Sequence, residues 1–337
     1  MRGDAREQAL RLVSGFRGYQ LLVAACKLKL PDLVAAGPMT PDELATATGT
    51  HPPSLHRMLR GLAAWEVLVE DGEGRFAATP LSDMFRSDQP GLRNMAIMLR
   101  EEGYPVWGEL MNVLKTGQPA YERVFGKARW EHLAENPAAS AQFNAAMVET
   151  SNRVGAAFAR EYQFGDAHTV VDVGGGNGAL LAAVLRAHPR IRGVLFDQAA
   201  GLAGARESMQ ASDLHDRITF VEGSFFDSVP AGEDVYLLKS IVHDWDDEPA
   251  THILQVCRKA MKATSRVVLV ERDLPERIDD PAAALPTVMS DLHMMVVLGG
   301  RERTPSEYAQ LLASAGLRLT ARIPMGSDFA AFEAVPV

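Results

Sequence analysis

The chain has 337 residues, 47% hydrophobic and 23% charged, which is long enough for two domains with packed cores. Its 34 basic and 43 acidic side chains give a net charge of −9, which argues against broad binding to nucleic acid or an anionic membrane. Two cysteines, Cys26 and Cys257, are too few for a disulfide framework, and the charged start MRGDAREQALRLV lacks a signal peptide's apolar core. No run approaches the roughly 20 apolar residues of a membrane span, so a soluble cytoplasmic chain with reduced thiols is expected.

In chain order, residues 5–29 carry a helical apolar stripe that includes Leu10, Val13, Leu21, Leu22, Ala25 and Leu28. TPDELATATG supplies a capping box, Thr40 with Glu43, with Pro41 at the first helical position and Gly49 as a stop. HPPSLHRMLRGLAAWEVL predicts another short helix, and VLVEDGEGRFAAT predicts two strands around Gly72 and Gly74. Helices closed by a small hairpin are the outline of a winged helix. Residues 91–160 read as wholly helical, with breaks at Pro105, Pro119 and Pro137. Within them Tyr104 and Trp107, and Phe143 with Met147 one turn on, suit either a core or a pocket wall.

From about residue 167 the pattern changes. TVVDV, GVLFD, RITFVEG, DVYLLKS and RVVLVER alternate with helical segments 178–188, 199–211, 247–262 and 286–298. Such alternation predicts an α/β fold, a doubly wound and mostly parallel sheet. A helix at 304–315, opened by Thr304 with Glu307, precedes LRLTARIPM and DFAAFEAVPV, which predict a C-terminal antiparallel hairpin around Gly326.

The first of these strands carries Asp172 next to its last residue and runs into Gly174, Gly175, Gly176 and Gly178. Glycines at a strand-to-helix turn let a ligand rest against bare backbone. Gly174, Gly176 and Ala179 satisfy G-x-G-x-x-G/A, and Asp197 ends the next strand, where a carboxylate binds ribose hydroxyls. The glycine pattern would place a dinucleotide's pyrophosphate on the helix start, whereas Asp197 serves NAD or S-adenosylmethionine equally well. LLKSIVHDWDDE leaves the fourth strand and brings Lys239, His243, Asp244 and Trp245 to the same rim. Asp244, Asp246 and Asp247 suit a solvated helix start better than a magnesium site, and no histidine spacing suggests a metal. No metal is expected.

Taken together, VDVGGGNG, FD, EGSFF, LLKSIVHDWDDE, VLVERDLP and GGRERT occur in the order found in small-molecule O-methyltransferases of the caffeate, hydroxyneurosporene and antibiotic-pathway type. The chain resembles that family over nearly its whole length. The resemblance implies S-adenosylmethionine as cofactor, S-adenosylhomocysteine as product, and a hydroxyl of an aromatic or polyketide-like secondary metabolite as methyl acceptor. It also implies a homodimer formed by a helical, winged-helix-like domain over 1–90, a helical connector over 91–160 that contributes to the acceptor pocket, and a catalytic domain over 161–337.

Asp172, beside the glycine run, is placed to organise the turn or face a cationic ligand; residue by residue, the resemblance puts Gly174 and its neighbours, Gly176 among them, at the methionine end of the cofactor, and Asp197 at the ribose. Gly223, Ser224 and Phe225 fall at the adenine, with serine where the family has aspartate; Lys239 and Trp245 fall near the cofactor. His243 matches the general base, and Glu271 and Glu302 match the glutamates near its ring, although Glu302 between Arg301 and Arg303 equally suits a solvated charge cluster. Phe143, Met147, Asp291 and His293 fall where the family lines its acceptor pocket, with simple core packing as the other reading. The rivals are an NAD-dependent oxidoreductase on the glycine turn, a DNA reader using Arg57 and Arg60, and a methyltransferase-fold relative with other chemistry.

Overall fold

The computed structural model describes residues 4–210, 212–326 and 328–337. Its two compact units are Met1–Tyr104 with Ala141–Glu149, and Pro105–Ser140 with Thr150–Val337.

The first unit is built from α1 (Ala5–Lys27), α2 (Leu30–Val34), α3 (Pro41–Thr48) and α4 (Pro52–Ala64), followed by an antiparallel hairpin of β1 (Leu68–Glu70) and β2 (Phe76–Ala78). Its ends are set locally. Asp4 accepts the Arg6 N–H at the start of α1, and Thr40 and Glu43 cap each other reciprocally at the start of α3. Leu30, Leu44, Leu55, Leu59, Leu62 and Phe76 pack into one core. The stripe on α1 divides: Ala25 is buried, while Leu10, Leu12, Val13 and Phe16 are 54%, 79%, 74% and 50% exposed.

Between residues 93 and 135 the chain runs through short helical segments, one of them a π turn at Leu99–Gly103, and Pro105 lies inside the segment Tyr104–Trp107 rather than between two helices. Pro137 opens the long α5 (Pro137–Glu161), capped by Asn136.

The sheet of the second unit contains β3 (Thr169–Val173), β4 (Arg192–Asp197), β5 (Ile218–Glu222), β6 (Val235–Lys239), β7 (Arg266–Arg272), β8 (Leu317–Pro324) and β9 (Phe329–Pro336). Their spatial order is β5-β4-β3-β6-β7-β9-β8; the first five are parallel, and β9 enters antiparallel beside β7. The helices are α6 (Ala179–Ala187), α7 (Ala199–Gln210), α8 (Asp247–Ala260), α9 (Pro281–Val297) and α10 (Pro305–Ser314). One buried cluster joins α6 and α7 to Val170, Leu195 and Val268, and another joins α8 and α10 to Val171, Leu238 and Leu269. Strand order reverses between β3 and β6, so the carboxyl ends of those strands flank a crevice suited to a ligand.

One helix start differs by several residues from expectation. α9 begins at Pro281 rather than 286, because Asp280 accepts the N–H groups of Ala282 and Ala283 and the helix tolerates Pro286 inside it. The expected last residue of α7, Ala211, lies outside the described residues. The terminal hairpin forms with a register shift between Leu319 and Ala321. No described helix is long and apolar enough to cross a membrane.

Candidate active site

The turn after β3 is held open by three left-handed glycines, Gly174, Gly176 and Gly178, with φ of 70°, 54° and 74°. The N–H of Gly174 donates to the Phe196 carbonyl at 2.8 Å. The Asp197 carboxylate accepts from the N–H groups of Gly176 at 2.8 Å and Gln198 at 2.6 Å, so the end of β4 braces the turn. Burial pushes Asp197 up and these two hydrogen bonds oppose the shift. Asp172 lies beneath: a Cβ on Gly175 would stand 2.7 Å from its carboxyl. Its Oδ2 is buried without a partner, and burial raises the group to about 7, with Lys239 opposing. Lys239 donates to Ser151 Oγ at 2.9 Å and is pulled down to about 8 by burial, with Glu271, Asp172 and Asp244 opposing.

Next to the turn, the Gly223 N–H donates to the Asp197 carbonyl at 3.1 Å. Ser224 Oγ accepts from the Phe226 N–H at 3.2 Å, so the hydroxyl caps its own turn. The Phe225 ring comes within 3.4 Å of where a Cβ on Gly174 would lie. Trp245 stands edge-on to Phe226 at 4.8 Å and to Phe225 at 6.5 Å, forming one aromatic cluster.

His243 follows β6 through Ser240, which is left-handed at φ 54°, and a short helical turn, Val242–Asp244. Four residues pin this segment. Glu271 Oε1 accepts from the N–H groups of Ile241 at 2.9 Å and Val242 at 3.0 Å. Arg303, fully buried, donates to the carbonyls of Val242 and Trp245, each at 3.0 Å, and to the Asp247 carboxylate. The Arg301 N–H donates to the His243 carbonyl at 2.9 Å. Gly300 passes so close that a Cβ there would stand 2.2 Å from that carbonyl oxygen.

The imidazole sits among carboxylates. Its Nδ1 is 3.0 Å from Glu302 Oε1 and 3.7 Å from Glu271 Oε2, and its Nε2 is 3.5 Å from Asp244 Oδ1. Ser290 Oγ donates to the same Glu302 oxygen at 2.7 Å, and Asp291 Oδ1 accepts the Glu302 N–H at 3.0 Å. Both glutamates are buried, which rules out a solvated charge cluster for Glu302. Burial by itself would pull His243 down, but Glu302, Glu271 and Asp244 outweigh it and raise the ring to about 10. Burial lifts Glu271 to about 7, while the His243 charge and hydrogen bond carry Glu302 below its ordinary value against the effect of burial. Groups this close titrate as a set rather than singly.

Donor atoms of His243, Glu271 and Glu302 all lie within 4.8 Å of one another, the metal-compatible grouping among the described residues.

Of the four residues expected at an acceptor pocket, Asp291 and His293 lie on α9, and Phe143 and Met147 on the part of α5 that belongs to the first unit. Asp291 is engaged with the backbone of Glu302. His293 Nδ1 accepts the Trp107 indole N–H at 3.0 Å, with the two rings edge to edge and 18° from coplanar.

Comparison with known proteins decides the family. Residues 107–318 match the O-methyltransferase domain and residues 10–88 the O-methyltransferase dimerisation domain. The chain belongs to the O-methyltransferase family. This O-methyltransferase is 39% identical over 329 residues to phenazine O-methyltransferase PhzM of Lysobacter antibioticus, covering 97% of this chain and 95% of that protein. It is 39% identical over 341 residues to O-demethylpuromycin-O-methyltransferase of Streptomyces alboniger, covering 99% and 90%. Its fold matches that of the O-methyltransferase NcsB1 from neocarzinostatin biosynthesis, solved with S-adenosylmethionine and 2-hydroxy-5-methyl naphthoic acid. The TM-score is 0.82 at 34% identity, over 95% of this chain and 96% of that one. The enzyme is therefore S-adenosylmethionine-dependent, and the NAD reading of the glycine turn is set aside.

Sequence reasoning missed Ser151, Ser290, Gly300 and Arg303 in this O-methyltransferase. Arg303 lies between Glu302 and Thr304 in a stretch that reads as surface, and no local pattern marks it as buried. Gly300→Ala is expected to displace the His243–Asp244 backbone, because neither side of a 2.2 Å contact between Cβ and a carbonyl can give without moving the segment. The expected loss is about 1–3 kcal/mol of stability, with reduced turnover. Denaturant unfolding and a methyl-transfer assay would check this, and an unchanged midpoint with full turnover would contradict it.

Proposed function

We propose that the enzyme methylates a hydroxyl of an aromatic or polyketide-like secondary metabolite, with His243 as general base. The observation that carries this reading is the imidazole held through Nδ1 by buried Glu302 at 3.0 Å, so that Nε2, 3.5 Å from Asp244 Oδ1, is the nitrogen left to take the acceptor's proton. Bound S-adenosylmethionine supplies an electrophilic methyl group with its own leaving group. What remains for the chain is to align the acceptor oxygen and take its proton. Glu302 orients the ring and balances the imidazolium; Glu271 adds charge and fixes the Ile241–Val242 backbone. The left-handed glycines and the unpartnered Asp172 Oδ2 fit the methionine end of the cofactor, Asp197 its ribose, and Gly223, Ser224, Phe225, Lys239 and Trp245 its remaining surroundings. The acceptor class follows the relatives, whose names specify phenazine and O-demethylpuromycin substrates. Incubation with methyl-labelled S-adenosylmethionine and a panel of phenols tests the proposal, and absence of label on every phenol, with S-adenosylhomocysteine still bound, would overturn the acceptor class.

The homodimer belongs to the same proposal. Leu10, Leu12, Val13 and Phe16 leave an apolar face on α1 that a single chain does not cover, within the region matching a dimerisation domain. Light scattering at micromolar concentration is expected to give about twice the chain mass of 36.6 kDa, and a single-chain mass would rule the dimer out.

A further inference from the structure

We propose that His293 is a neutral hydrogen-bond donor that selects acceptors carrying a carbonyl or carboxylate oxygen beside the hydroxyl to be methylated. This rests on the acceptor side of the site lying along α9, as proposed above.

The tautomer follows from its partner. An indole N–H can only donate, so the 3.0 Å contact from Trp107 makes His293 Nδ1 an acceptor and puts the proton of the neutral ring on Nε2. The two rings lie edge to edge and nearly coplanar, 18° apart with centroids 6.5 Å from each other, as an in-plane N–H···N bond requires, and this sets the ring plane. The one hydrogen bond that His293 makes among the described residues is the one at Nδ1, which leaves Nε2–H a donor without an internal acceptor.

Its position follows from the helix. Ser290, one turn earlier on α9, donates to the Glu302 oxygen that holds His243. Side chains three apart share a helix face, so His293 occupies the face of α9 that serves the His243 cluster. The charges that act on it are Arg129, His243 and Arg272, all cationic; with burial as the larger cause they lower it to about 4. A neutral donor in a positive field matches an oxygen that only accepts, above all one bearing negative charge. It does not match an amine. With Nδ1 engaged, the ring also has no acceptor to offer a second hydroxyl.

The test compares 1-hydroxy-2-acetonaphthone with 2-isopropyl-1-naphthol, which differ in the carbonyl at nearly constant shape. Their affinities for the complex with S-adenosylhomocysteine are measured by calorimetry for wild type, His293→Phe and His293→Gln. His293→Phe is expected to weaken the ketone about tenfold more than the alkyl naphthol, the scale of one hydrogen bond, and His293→Gln to recover part of the difference. Equal weakening of the two naphthols, or binding of neither to wild type, overturns the proposal. Long-range ¹H–¹⁵N spectra of the same complex are expected to show the Nε2–H tautomer for His293, and an Nδ1–H form or an imidazolium at neutral pH also overturns it. Turnover is read in parallel: discriminating binding without methyl transfer would count against the general-base reading and leave the role of His293 standing.

Discussion

Replacing His243 with alanine is expected to lower turnover of an un-ionised phenol by about 10²–10⁴-fold, with affinity for S-adenosylhomocysteine nearly unchanged. In the proposed mechanism the ring acts on the acceptor's proton, so its loss would remove deprotonation and leave the cofactor's own contacts in place. The pH dependence carries the sign of the surrounding charge. Because Glu302, Glu271 and Asp244 hold the imidazolium up to about 10, the basic form is scarce at neutral pH and grows as pH rises. Wild-type turnover should therefore climb from neutrality into the alkaline range, and the alanine variant should lose that limb. An acceptor ionised well below assay pH should partly rescue the variant. Glu302→Gln should disturb the profile more than Glu271→Gln, since Glu302 makes the 3.0 Å contact and Glu271 stands at 3.7 Å. Removing either carboxylate takes away a cause of the upward shift, so the limb should move to lower pH. Wild-type turnover in His243→Ala on an un-ionised phenol would place the base elsewhere.

For Asp197→Ala, calorimetry should show S-adenosylhomocysteine binding weakened by about 1.5–3 kcal/mol, the range for hydrogen bonds to a charged group. Two effects combine. On the proposed assignment the ribose loses its acceptor, and the Gly176 and Gln198 N–H groups lose the carboxylate that shapes the turn. Asp197→Asn separates them, because an amide oxygen still accepts from one N–H while the charge is gone; it should fall between wild type and alanine. Undiminished affinity in Asp197→Ala would remove Asp197 from the cofactor site.

How much of this was legible beforehand can be judged from particular residues. Capping pairs such as Thr40 with Glu43, the glycine turn after TVVDV, the strand-ending Asp197 and the terminal hairpin are encoded within a few residues of chain. A turn needs φ above zero and a helix start needs an acceptor for its first N–H groups, so those demands are written where they are met. The relative weight of the two glutamates was not legible. Glu302, flanked by two arginines, reads as surface charge until folding buries it 3.0 Å from a ring 59 residues earlier. Arg303 likewise reads as solvated, yet it clamps the His243 segment from inside. Gly300 is required by a carbonyl it does not neighbour in sequence, and Trp107 fixes the tautomer of a histidine 186 residues away. By itself the sequence determined the local backbone, the order of strands and helices and the residue types available for chemistry. Which side chains meet, which carboxylates share a proton and which polar groups leave water were decided by tertiary packing, because those contacts join segments far apart along the chain and burial changes the charge preference of every group it encloses.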